Sequence, residues 1–206
     1  MVQLIDWLQL AFDLFSQSIP RITWNLFLAL IPLVFSFYLF RPRANLNLLW
    51  WIIFLLFVVF LPNAPYVLTD SIHIIELSQN YPVWGIILIL IPQYTLFIMA
   101  GFQAYVFSLI RLEQYLANLV SAKYLLLVNL LVHGLCAVGI YIGRFERFNS
   151  WDFVTKPVDV IATIIVNLMD IEKLFSMAIA LIIIGLLAEF TKLVNYRIGL
   201  TETILK

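Results

Sequence analysis

Asp70 and His73 stand three residues apart in FLPNAPYVLTDSIHI (residues 60–74), a stretch that follows an apolar run and also holds Asn63 between two prolines. On a helix that spacing puts a carboxylate and an imidazole on one face, where they can exchange protons near neutral pH or hold a divalent cation. The same residues also fit a plainer role, in which Asn63 caps a helix end and Asp70 tethers His73. A second stretch, GIYIGRFERFNSWDF (139–153), sets Arg144 and Arg147 on neighbouring turns and follows them with Asn149, Ser150, Trp151 and Asp152. A guanidinium fork suits the geometry of carboxylate or phosphate, so the pair reads as an anion site. Here too there is a plainer account: the arginines snorkel, Trp151 marks a membrane interface, and Asp152 pairs with one arginine. The candidate ligand-binding set is therefore Asn63, Asp70, His73, Arg144, Arg147, Asn149, Trp151 and Asp152. Arg144 and Arg147 would hold an anion, and Asn63, Asp70, His73 and Asp152 would orient it or bind a cation.

These groups sit in an unusually apolar chain. Of 206 residues 64% are hydrophobic and 12% charged, with a mean hydropathy of +1.02, against about 25% charged residues in ordinary soluble domains. That composition points to an integral membrane protein. Twelve basic residues balance twelve acidic ones and form no basic tract, which argues against nucleic acid as a partner. The single cysteine, Cys136, excludes an internal disulfide and any multi-cysteine metal site. No metal site is assigned, since Asp-x-x-His alone is a weak pattern, and the sequence specifies no cofactor.

The elements that position the polar stretches follow from counting apolar residues against the roughly 20 needed to cross a hydrocarbon core of about 30 Å. Five spans are expected, at about 22–40, 44–61, 84–110, 124–143 and 174–195, in one all-α polytopic bundle that forms a single membrane domain. The third is long enough to need tilt, a bend near Pro92 or an extension beyond the bilayer. Residues 158–169 number only twelve, or about 18 Å of helix, which suits an interfacial or re-entrant helix rather than a span. Leu4, Trp7, Leu8, Ala11 and Phe15 recur near the helical period, with Asp6, Gln9, Asp13 and Gln17 mostly opposite, so 3–18 reads as an amphipathic surface helix rather than a cleaved signal peptide.

Loop charges favour an outside amino terminus, with Arg41, Arg43, Arg111, Lys123, Lys192, Arg197 and Lys206 on the cytoplasmic side and no Lys or Arg in 62–83. Arg144, Arg147, Lys156 and Lys173 then fall outside, which calls for a local requirement that holds them there. Both polar stretches fall on the extracytoplasmic face in this topology, so groups distant in sequence converge. Within the spans, Asn129 and His133 share a face of the fourth, and Gln93 and Gln103 lie on the third. Hydrogen bonding between these two spans is expected, a polar pathway to the outer face being the alternative.

WNLFLALIPLVFS (24–36), FLPNAPYVLTDSIH (60–73) and GIYIGRFERFNSWD (139–152) together resemble the bacterial membrane-protein family known as domain of unknown function 1361, over about residues 22–195. The resemblance implies a multi-pass protein of the bacterial plasma (inner) membrane and carries over no catalytic residues. Three functional readings follow. The first is a polar site at the extracytoplasmic face that binds the anionic head group of a membrane lipid or an envelope intermediate. The second is an assembly or scaffold protein whose 139–152 and 158–169 segments dock another membrane protein, helped by the close approach that Gly139 and Gly143 permit. The third is a membrane-embedded enzyme acting on a lipid-linked substrate, with His73 or Asp70 as general base, although no serine, cysteine or paired carboxylate has a spacing diagnostic of a reaction class.

Overall fold

The computed structural model describes residues 2–117 and 119–201, with side chains from Trp7 onward; Leu4, Asp6 and Lys206 thus lie outside what can be said of side chains. In order, the elements are α1 (Val2–Leu39), α2 (Leu48–Phe60), α3 (Asn63–Tyr66), a 3-10 turn (Val67–Ser71), α4 (Ile72–Ser78), α5 (Val83–Gly85), a π-helical turn (Ile86–Leu90), α6 (Ile91–Ala117), α7 (Ala122–Phe145), α8 (Asp152–Thr155), α9 (Pro157–Met169) and α10 (Ile171–Arg197). There is no strand among the described residues. Five helical stretches are long and apolar enough to cross a membrane, and the chain is an all-α, multi-pass bundle. The 13-residue α9 is apolar but only about 20 Å long at 1.5 Å per residue, too short for a span.

The amphipathic pattern at 3–18 is not a separate surface helix. It is the first half of α1, which runs unbroken for 38 residues through Pro20 and Pro32. Packing explains the continuity. Trp7 stacks on Trp84 with ring centroids 3.8 Å apart, Leu10 and Leu14 lie against Gly85, and Ser18 Oγ donates to Gln93 Oε1 at 3.1 Å. Further along, the Arg111 guanidinium lies over the Phe37 ring, so the first and third spans run parallel over their whole length. A helix lying flat on the membrane would forfeit all of these contacts.

Pro62 and Pro65 end α2 in the strict sense near Leu61, as expected, yet the backbone stays right-handed. Pro62 has φ −60° and ψ −23°, and the chain resumes as α3 at Asn63, earlier than the restart near Tyr66 that the sequence suggested. Each proline lacks a donor, and the result is a loosened helix that passes through a 3-10 turn into α4. In the third span Pro92 likewise removes the N–H that would bond Leu88. The π turn just before it, closed by Ile91 N–H to Ile86 O, takes up the mismatch.

Two glycines let the bundle close around this loosened segment. A Cβ on Gly139 would stand 2.5 Å from Pro62 Cβ, and one on Gly101 would stand 2.8 Å from Val67. The spacing at Gly139 and Gly143 therefore serves α2 and α3 of this same chain, with Tyr66 packed at Gly143. Around these contacts Leu61, Ala64, Val67, Tyr94, Phe97, Tyr105 and Ala137 form one buried core.

Several polar residues inside the bundle are hydrogen-bonded between helices, whereas Gln103 Nε2 and Asn195 Nδ2 are buried without a hydrogen-bond partner among the described residues. Tyr105 on α6 and His133 Nδ1 on α7 are 2.6 Å apart. Glu113 on α6 accepts from Asn129 on α7 and from Lys192 on α10. Gln93 bonds Ser18 of α1 rather than the fourth span.

Candidate functional site

A cavity of about 260 Å³ opens where α1, the segment from the end of α2 through the start of α4, the end of α7, and α9 meet. Its walls are graded. Leu28, Val58, Val59, Leu135 and Val138 line the end that lies within the spans, while Asn25, Asn63, Asp70, His73, Asn149 and Ser150 line the end at the helix termini. The gradient is imposed by chain direction. α2 and α7 run toward this face and α1 runs away from it, so in all three the lining turns from apolar to polar at the same level.

Asp70 is the centre of the polar end. It is 1% exposed, a position that costs a carboxylate its hydration unless donors replace it. Asn25 Nδ2 donates to Asp70 Oδ2 at 2.6 Å. His73 Nε2 stands 3.8 Å from Asp70 Oδ1, and Arg144 and Arg21 lie within electrostatic reach. His73 in turn gives Nδ1–H to Glu76 Oε2 at 2.6 Å. This leaves Nε2 directed at Asp70, too far for a hydrogen bond but close enough to sense the charge. The i, i+3 spacing expected to join Asp70 to His73 does so.

Asn63 caps as the plainer account required and also does more. Its Nδ2 donates to Phe60 O at 2.9 Å and to Ser150 Oγ at 2.7 Å, which ties the end of α2 to the loop after α7. That loop is built by Asp152, whose Oδ2 accepts from Asn149 N at 2.7 Å, and by Arg147, which takes a left-handed φ of 60° to reverse the chain. Trp151 packs edge-on against Trp24 of α1 at 6.3 Å.

Of the eight residues singled out from sequence, Asn63, Asp70, His73 and Asn149 line the cavity. Arg144 lies behind it, near Asp70. Arg147, Trp151 and Asp152 shape or brace the loop without lining the cavity, and Arg147 is exposed. Glu146 accepts from Asn167 and pairs with Lys173 at 3.6 Å. Sequence reasoning missed Asn25, Trp24, Tyr66 and Arg21. Asn25 carried a signal, a lone amide inside an apolar span, where polar side chains face the bundle interior. Among the described residues no three His, Cys, Asp or Glu side chains are grouped to hold a metal ion.

The model of the family described as Protein of unknown function (DUF1361) matches residues 24–187, four-fifths of the chain and all of the cavity lining. The chain belongs to this family. No curated protein and no solved structure matches it. The DUF1361 match begins at Trp24, one residue before Asn25 and partway along α1, and ends within α10.

Proposed function

We propose that the cavity is a binding site for the head group and first chain segment of a membrane amphiphile, a lipid or a lipid-linked envelope intermediate, at the extracytoplasmic face of the bacterial plasma membrane. The observation that carries this reading is the gradient of the lining, apolar within the spans and polar at the helix ends, which matches a molecule of the same polarity. The amides, Ser150 and the Asp70 carboxylate suit hydroxyl groups of the ligand, and Arg144 with Arg21 favours an anionic group beside Asp70. The Gly139 and Gly143 spacing, satisfied within the chain, leaves the scaffold reading with less support.

The test is to purify the full chain in mild detergent and identify bound lipid by mass spectrometry. A polar-headed amphiphile should co-purify in near-stoichiometric amount. Val138→Phe, which fills the apolar end, and Asn149→Ala, which trims the polar end, should each lower its amount severalfold at an unchanged melting temperature. The same lipid in the same amount from both variants would refute the reading.

A second reading, an enzyme acting on such a ligand, is favoured by the orientation of His73, held by Glu76 with Nε2 at the cavity. If it holds, His73→Gln should leave lipid binding intact and raise the amount of unprocessed ligand recovered with the protein.

A further inference from the structure

Once the bonds within the chain are made, each polar group lining the first cavity has a definite remainder to offer a ligand. Asn63 spends both hydrogens of Nδ2, on Phe60 O and on Ser150 Oγ, which leaves its side-chain oxygen as an acceptor. Ser150 Oγ accepts that bond and keeps its own hydrogen to donate. Asn25 spends one hydrogen on Asp70 Oδ2 and keeps the other, together with its oxygen. Asn149 is held by its backbone, whose N–H donates to Asp152, so its side-chain amide remains. Asp70 keeps Oδ1, with His73 Nε2 3.8 Å away. An oxygen set between those two atoms, at a usual hydrogen-bond length of about 2.8 Å, reaches both.

Donors and acceptors are therefore mixed over one wall. A hydroxyl both donates and accepts, so a head group with several of them can use such a wall throughout. An ionised phosphate only accepts and would leave the oxygens of Asp70 and Asn63 unmatched, and an ammonium group only donates. Charge points the same way. No Lys or Arg is among the described lining residues, and Arg21 and Arg144 stand behind Asp70, where they offset its charge. Trp24, also in the lining, adds ring surface, and the negative face of an aromatic ring attracts the weakly positive C–H hydrogens of a sugar.

A second cavity, about 390 Å³, makes the contrast plain. It lies at the other end of the bundle, between the α1–α2 connection and the last turns of α6, and there Arg43 and Arg111 are in the lining. Arg111 and Gln114 beside it are engaged within the chain. The first cavity is the one whose wall keeps unspent hydrogen-bonding capacity of both kinds.

We infer that the head group recognised in the first cavity is a sugar or similar polyol, which makes the ligand a glycosylated lipid. The inference rests on the amphiphile reading and narrows it. It concerns the groups that touch the lining, and an anionic linkage to the chain, near Arg21 and Arg144, is compatible with it. A soluble sugar offers the same hydroxyls without the chains, so the experiment separates the two.

The full chain is delipidated in a detergent without a sugar head. Its melting temperature is followed with glucosyldiacylglycerol, phosphatidic acid or phosphatidylethanolamine of the same acyl chains, and with methyl glucoside. Glucosyldiacylglycerol should raise it and bind on the order of tenfold more tightly than either phospholipid, a ratio that one net hydrogen bond can supply. Methyl glucoside should give no comparable shift. Asn149→Ala, at an exposed position, should cut the ratio severalfold with the lipid-free midpoint unchanged. Asp70→Asn should narrow it from the other side, by admitting phosphatidic acid. Equal shifts from the three lipids, a full shift from methyl glucoside, or an undiminished ratio in Asn149→Ala would each overturn the sugar assignment. A preferred phospholipid whose shift Val138→Phe abolishes would overturn it too while leaving the amphiphile site standing, whereas lipid shifts that Val138→Phe leaves untouched would remove the amphiphile reading itself. Should Asp70→Asn fail to fold, Asn149→Ala alone still decides.

Discussion

The two cavities lie at opposite ends of one bundle and are made by different means. The first is assembled from residues as far apart as Asn25 and Ser150, and its carboxylate is buried and hydrogen-bonded. The second comes from one short connection and one helix end, and its Arg43 is exposed. A buried polar group must have its partners before any ligand arrives, since an unmatched one costs about 1–3 kcal/mol. An exposed arginine is solvated by water and needs no such frame. The first cavity should therefore be coupled to folding and the second should not, and changes at each can test that contrast.

The largest effect is expected from Gly139→Leu. With Pro62 Cβ only 2.5 Å from the position a Cβ would take, overpacking should cost about 1–3 kcal/mol and push α2 from α7 at the mouth of the first cavity. Thermal unfolding should show a lower midpoint and lipid analysis a depleted first site. Arg43→Gly, at the second cavity, relieves a left-handed φ of 58° and should melt no lower than the parent. A fall as large as that from Gly139→Leu would mean that both cavities are coupled to folding.

Asp70→Ala comes next. It strips Asn25 of its acceptor and leaves a buried amide unmatched, a loss of about 1–3 kcal/mol, measurable by the same melt. In Asn25→Leu combined with Asp70→Leu the two losses should fall short of additivity by about 0.5–3 kcal/mol, because each single change already breaks the shared bond. Strict additivity would show that Asp70 is stabilised elsewhere.

Between the cavities, Tyr105→Phe removes the partner of buried His133 and should cost about 1 kcal/mol. It should leave binding in the first cavity unaltered. A changed amount of bound lipid would instead reveal a link through the α6–α7 interface.

The smallest effect is expected from screening. Between about 0.1 and 1 M salt the Debye length falls from about 10 to about 3 Å. The amphiphile in the first cavity, enclosed by helices, should be retained over that range. Its loss would place the ligand at the surface.

Much of this molecule is written locally. Five spans follow from runs of apolar residues, because the cost of crossing a bilayer sums residue by residue along a helix, and α9 falls short for the same reason. Asp70 and His73 share a face because a turn of helix is 3.6 residues, whatever the rest of the chain does. Even the meeting of the two polar stretches could be read from the alternation of spans.

What needed the tertiary structure concerns faces rather than elements. Nothing in 3–18 says that Trp7 will stack on Trp84, so its amphipathic pattern fitted a membrane surface as well as a neighbouring helix. Arg144 and Arg147 look equivalent in sequence. Arg144 is helical and near Asp70, whereas Arg147 lies past the end of α7, where the chain turns left-handed and carries it into solvent. Arg43 and Arg111 entered the sequence argument as charges to be counted, and their place beside one cavity depends on how α6 leans against α1. Helix formation and membrane partition depend on neighbours along the chain. Which side chains face one cavity depends on how each helix is rotated against the next, and that is decided by close contacts such as Gly139 on Pro62 between residues far apart in sequence.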